Sequence, residues 1–280
     1  MTGWRKGFAN LDALSWFSLA ALSIFLFLAL AGPWLPLGDP EDIGAGPRLA
    51  APSVVFPLGT DELGRSFLPR AVEGIRTTFL LSTLAVLLTA IVGTAIGMIA
   101  AYRGGRADVV LMRLTDVIFA FPAIILGLLV SALIGPGFLS AMVVISLATL
   151  PLFIRLVRAV SIVVTGREFV IVAEVAGASM RRILLLHVLP NIAGAVIVQL
   201  TYAISVGMLI ESGISFLGLG TQPPHSSLGS LLRIGSAYLN TAPWLTLSAG
   251  VILSLIITSI NLLGDGLRDS IEPIDPHSLL

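Results

Sequence analysis

Long apolar runs set the terms for this chain, because about 20 mostly apolar residues in a row cross a bilayer as a helix. Six stretches qualify, at residues 14–35, 79–101, 117–134, 138–156, 192–216 and 244–263. Only 11% of the 280 residues are charged and 56% are hydrophobic, against roughly 25% charged in a soluble domain. A water-facing surface all round is excluded, and an all-α membrane protein with six transmembrane helices is predicted. Ala29-Leu30-Ala31 mimics the cleavage site of a secretory leader, with Arg5 and Lys6 ahead of it. The apolar run 14–31 is longer than the roughly 7–15 residues of a leader core, so this segment reads as an anchor.

Sixteen basic and sixteen acidic residues cancel. Overall charge therefore carries no sign of a nucleic-acid partner, and none is expected; placement carries the information. Loops on one side of the six spans hold Arg5, Lys6, Arg103, Arg106, Arg113, Arg155, Arg158, Arg167, Arg181, Arg182 and Arg268, whereas those on the other hold Arg48, Arg65, Arg70, Arg76 and Arg233. Lys/Arg-rich loops stay in the cytoplasm, so both termini are expected there. The predicted layout is a tail at 1–13, a permease-sized bundle at 14–264 with an external loop at 37–76 and a cytoplasmic loop at 159–190, and a tail at 265–280. With no cysteine, disulfides and thiolate metal sites are excluded. His187, His225 and His277 lack ligand spacing, and no metal site is expected. Gly93 and Gly97 form a G-x-x-x-G, which lets backbones approach closely in lipid; packing inside one bundle is the preferred role.

The cytoplasmic loop is unusual. Phe169, Val172, Ala173 and Ala176 recur at the spacing of one helical face. Glu168 falls in the first turn, where the helix dipole favours an acid, and Gly177 stands where a left-handed residue would stop the helix. A second short helix is predicted from about Ser179 to Val188, ending at Leu189-Pro190-Asn191. Arg167, Glu168, Glu174, Arg181 and Arg182 make the stretch too charged to cross the bilayer, yet its first helix is too apolar to lie bare in water. It must lie on the membrane, pack on its own bundle, or dock into something else.

These residues resemble the "EAA" loop of ABC importer permeases, which runs Glu-Ala-Ala, three residues, Gly, and a later Leu-Pro. Ala173, Gly177, Leu189 and Pro190 match, while Ile171 and Val172 stand in place of the Glu and the first Ala. Three further stretches resemble the dipeptide, oligopeptide and nickel branch, and its C-type permease above all: PLGTDELGR at 57–65, ESGISFLGLG at 211–220 with Gln222-Pro223-Pro224, and NLLGDGLRD at 261–269 with Glu272-Pro273. Where that branch often carries Pro-Ser-Trp-Gly, this chain has Ser226-Ser227-Leu228-Gly229. The resemblance covers nearly everything after the first span, in family order. It implies a type I importer bundle with a coupling helix between spans four and five. Glu168, Phe169, Val172, Ala173, Ala176 and Gly177 would couple to the ATPase through the 167–190 loop. It also implies peptide import across the bacterial inner membrane together with a second homologous permease, two ATPase subunits or domains and an external substrate-binding protein. The chain lacks the G-x-x-x-x-G-K-[ST] of a nucleotide loop, so ATP and Mg2+ are expected at the partner subunits and no cofactor on this chain.

Glu211 is the one acid well inside a span, about 19 residues past Ile192 and hence roughly 28 Å up a helix. Either Glu211, with Ser212 and Ser215, faces the translocation path, or it makes a helix-packing hydrogen bond to a serine such as Ser205 or Ser215. An ion-coupled secondary transporter is the rival function, but it normally needs several intramembrane ionisable groups at broken helices in paired repeats. Only Glu211 is available, and no repeat is visible.

Overall fold

The computed structural model describes residues 13–271. Arg5, Lys6 and most of the predicted 1–13 tail, and Glu272, Pro273 and His277 of the 265–280 tail, lie outside the described residues. In chain order the helices are α1 (Ala13–Ala31), α2 (Phe67–Arg103), α3 (Gly105–Phe119), α4 (Ala123–Ile134), α5 (Phe138–Thr165), α6 (Glu168–Val175), α7 (Met180–Ile183), α8 (Leu189–Phe216), α9 (Leu228–Ala237) and α10 (Pro243–Ile271). Among the described residues, five helical segments are long and apolar enough to cross a membrane, or six if the bent pair α3–α4 counts as one span.

That pair corrects the expected third span at 117–134. α3 and α4 meet at an angle of 85°. Pro122 has no N–H to continue the ladder and forces Phe121 out of the helical region. Leu126 N–H then bonds the Pro122 carbonyl at 3.1 Å and starts α4 afresh. Two other boundaries move outward. α2 begins at Phe67, so its first turns lie within what the sequence assigns to the external loop 37–76, and α10 continues to Ile271, so the expected C-terminal tail starts as helix.

α2 and α5 form the centre. Gly93 and Gly97 sit against α5, where a Cβ would come within 2.6 Å of Phe153 Cβ and 2.8 Å of Val157 Cβ. The G-x-x-x-G therefore serves packing within the bundle. Leu81, Ala85, Val86, Ala141, Ile145 and Phe153 fill the same interface. α1 stands at the edge, with Trp16, Phe17, Ile24 and Phe27 more than half exposed, as befits a lipid-facing helix, and its inner face packs through Ala29 beside Ile75, Met208 and Ile256. α9 packs on α10, α8 and α2. Its start is fixed by a capping box in which Ser227 Oγ accepts from Ser230 N–H and Ser230 Oγ accepts from Ser227 N–H.

Candidate coupling surface and outer polar brace

α5 ends at Thr165, and Arg167 turns extended to cap α6. α6 stops where Gly177 takes φ +81°. Its N–H bonds the Glu174 carbonyl at 2.9 Å, and Ala178 N–H reaches back to Ala173 at 3.0 Å, the paired bonds of a Schellman stop. Here the expected end of the helix is met at the expected residue. The second helix differs from expectation. α7 runs through a π-helical turn, Leu184–Val188, directly into α8, so Leu189-Pro190 begins a span and does not end a separate short helix. Pro190 lacks the N–H for the usual bond and would crowd the carbonyl four residues back; a locally widened turn relieves both. Asn191 Nδ2 donates to the His187 carbonyl at 2.6 Å in the same turn.

The structure divides the face that periodicity assigned to α6. Val170 is buried and Ala173 packs with it, inward, against Met98, Val157, Val164, Ile183 and Val188. Phe169, Ile171, Val172 and Val175 point away from the bundle, the last of them 85% exposed. Glu168, Ala176 and Gly177 are exposed too. Thus Ala173 is a bundle contact, while Ile171 and Val175 join the outward surface and were missed. A helix with apolar residues on both sides has no single stripe for periodicity to find. On the inner side, Tyr102 at the end of α2 stands beside Glu174. Arg158 of α5 grips Asp108 of α3 through Nε and Nη2, the latter at 2.6 Å. Arg155 Nη2 holds Asp116 at 2.7 Å and stacks its guanidinium on Phe119.

At the other end, Glu211 is fully buried. Ser215 Oγ donates to its Oε1 at 2.6 Å, and Thr78 Oγ1 of α2 donates to its Oε2 at 2.8 Å. Thr78 Oγ1 also accepts Leu228 N–H at the start of α9, and Ser215 Oγ accepts Thr221 N–H, both at 3.1 Å. Ser212 is also buried. Glu211, Ser212 and Ser215 thus meet one another and α2, and offer no exposed face. Of the two serines expected as partners, Ser215 is one; Ser205 bonds the Thr201 carbonyl at 3.3 Å instead. α9 can approach this closely because Gly229 has no side chain: a Cβ there would strike the Ser212 backbone, 2.6 Å from its Cα.

The PLGTDELGR stretch, in the loop that the sequence assigns to the outside, is the other half of this region, and the sequence does not reveal the link. Asp61 is fully buried. Its Oδ1 accepts Leu63 N–H and Arg65 N–H, each at 2.9 Å, and its Oδ2 accepts Arg65 Nε at 2.7 Å and Arg70 Nη1. Arg70 Nε then donates to Ser226 Oγ at 3.1 Å, just ahead of the α9 cap. Gly59, at φ +77°, lies where a Cβ would come within 2.7 Å of Trp244 Nε1. Two motifs more than 130 residues apart in sequence become one polar brace across α2, α8 and α9.

The profile of a protein family described as "binding-protein-dependent transport system inner membrane component" matches residues 93–273. The chain is 34% identical over 276 residues to the di/tripeptide transport system permease protein DppC of Pseudomonas aeruginosa (strain UCBPP-PA14), an alignment covering 96% of this chain and 90% of that one. It is 34% identical over 272 residues to the dipeptide transport system permease protein DppC of Alkalihalophilus pseudofirmus, with the same coverage. Its fold is similar to a chain of the inward-facing MetNI methionine ABC transporter, with a TM-score of 0.61 and 17% identity over 73% of this chain and 97% of that one. The fold is therefore that of a type I ABC importer permease, and this multi-pass membrane chain belongs to the family of binding-protein-dependent transport system inner membrane components.

Proposed function

We propose that the chain is one permease subunit of an ATP-driven importer of short peptides and forms the path with a second, homologous permease. The observation that carries the coupling is the outward apolar surface of α6: four large side chains lie bare beside Glu168 at one end of the bundle. An apolar helix held out from its own core matches helix-in-groove recognition, and the groove belongs to an ATPase subunit that holds ATP and Mg2+ and hydrolyses the nucleotide. Glu168, Phe169, Val172, Ala176 and Gly177 face that partner in this reading, joined by Ile171 and Val175, while Ala173 ties the helix to its own bundle. The α6 side faces the cytoplasm in this reading, both termini are cytoplasmic, and an external binding protein delivers cargo to the opposite end. The cargo class rests on the peptide permeases to which the chain is similar. Glu211, Ser212 and Ser215 fix the outer end of the path from behind, since their burial gives them nothing to show a passing peptide.

A pull-down of the tagged chain in mild detergent, with single cysteines at Val172 and Val175 for cross-linking, tests this. Recovery of a second permease and of P-loop ATPases cross-linked through both cysteines is expected. A chain recovered alone that still moves peptide into vesicles without ATP would replace the pump by the ion-coupled transporter.

A further inference from the structure

Between the outer end of α1 and the start of α2 lies a cleft of about 300 Å³, walled by Pro33, Pro40 and Pro69, with Glu73 and Arg76 of α2 among its lining. Glu73 and Arg76 are three apart on one helix, yet no ion pair joins them among the described residues. Glu73 Oε1 faces His225 Nδ1 at 3.1 Å, while its Oε2 is buried with no hydrogen-bond partner. A buried carboxylate oxygen left unpaired is costly, so a cation that reached this wall of the cleft would find a carboxylate short of partners. Arg76 is exposed and three residues before the apolar run that starts at Phe79, which puts the cleft at the membrane–water boundary. Trp34, 81% exposed, stands beside it, where interfacial aromatic rings gather. Below, Phe27 and Leu30 of α1 are more than half exposed, an apolar track leading from the cleft into the bilayer.

We propose that the cleft binds a zwitterionic group, with an ammonium beside the partly exposed Glu73 carboxylate and a phosphate or carboxylate on Arg76. Its occupant is the phosphoethanolamine head of an outer-leaflet lipid whose acyl chains lie along Phe27 and Leu30. A free dipeptide carries the same two charges, but the apolar track favours the lipid.

Native mass spectrometry of the full chain, purified with whatever assembly it carries and titrated with detergent-solubilised phosphatidylethanolamine or phosphatidylglycerol, tests this. Retention of the first roughly tenfold over the second is expected, the size of one charge-assisted hydrogen bond. Glu73→Gln abolishes that preference and Arg76→Gln weakens both lipids. Arg113→Gln, at the other end of the bundle, changes neither. Equal retention of the two lipids by the unaltered chain overturns the proposal, and that comparison stands even if a variant fails to fold. Displacement of the bound lipid by dialanine keeps the zwitterion site and overturns the lipid as its occupant.

Discussion

At the outer end of the bundle, Asp61, Arg65, Arg70, Ser226, Thr78 and Glu211 satisfy one another's hydrogen bonds in the interior, whereas at the inner end α6 leaves Phe169, Ile171, Val172 and Val175 uncovered. That brace finds its partners within the chain. The inner end does not, because apolar surface of that kind is stable only when something removes it from water. Where polar atoms are buried and mutually paired, a substitution should damage folding. Where apolar atoms are bare, a substitution should spare folding and damage assembly.

The comparison can be broken most decisively at Asp61. Asp61→Ala strands the Arg65 and Arg70 guanidiniums, and loss of one partner from a buried pair costs about 3–5 kcal/mol. Little folded protein should reach the membrane, as read by protease resistance and thermal melting in detergent; normal yield and melting would dissolve the brace. Next in size is Glu211→Ala, which leaves Thr78 and Ser215 without their acceptor and should cost about 1–3 kcal/mol. Glu211→Gln keeps an acceptor for one hydroxyl and should recover part of that loss in the same melting assay. A Glu211→Gln variant that melts normally but no longer transports would move this residue back into the path.

At the inner end the expected sign reverses. Val172→Asp and Val175→Asp should shift melting by no more than about 0.5 kcal/mol, as for exposed positions generally. Peptide uptake should fall tenfold or more, since a desolvated charge in a partner's groove is strongly disfavoured. A matched loss of melting temperature would show that α6 packs on its own chain after all. The smallest effect is expected at Arg155→Gln, which removes an ion pair to Asp116 that is nearly half exposed on both sides; such pairs contribute about 0–1 kcal/mol. A larger loss would mean that the α3–α5 contact is shielded by a neighbouring subunit.

Much of this architecture was legible because its signals are local. Apolar length marks the crossings, Gly93 and Gly97 mark a close helix contact, and Gly177 marks the stop of α6. Three things were not. A window that averages hydropathy runs straight through Pro122, so an 85° break reads as one span. Periodicity identifies an apolar face but not which neighbour covers it, so Ala173 was grouped with outward residues and Ile171 and Val175 were left out. The brace depends on pairs such as Arg70–Ser226 and Thr78–Glu211, separated by 156 and 133 residues. No spacing rule within one element reaches that far. Buried acids in an apolar chain were the available clue, and for Asp61 it was hidden inside a loop that looks hydrophilic.

The uninterrupted helical segment from Met180 to Phe216 has a consequence for timing and scale. Its 37 residues make a rod of about 55 Å at 1.5 Å per residue, and Glu211 lies about 46 Å from the inner end. If it turned about the Glu211–Thr78 contact, such a rod would be a lever with very unequal arms. About that point its inner end would sweep roughly six times as far as its outer tip, and in the opposite direction. In the proposed pump, a large stroke at the α6 end would become a small, geared-down opening at the far end, with the two in phase because one piece of helix carries both.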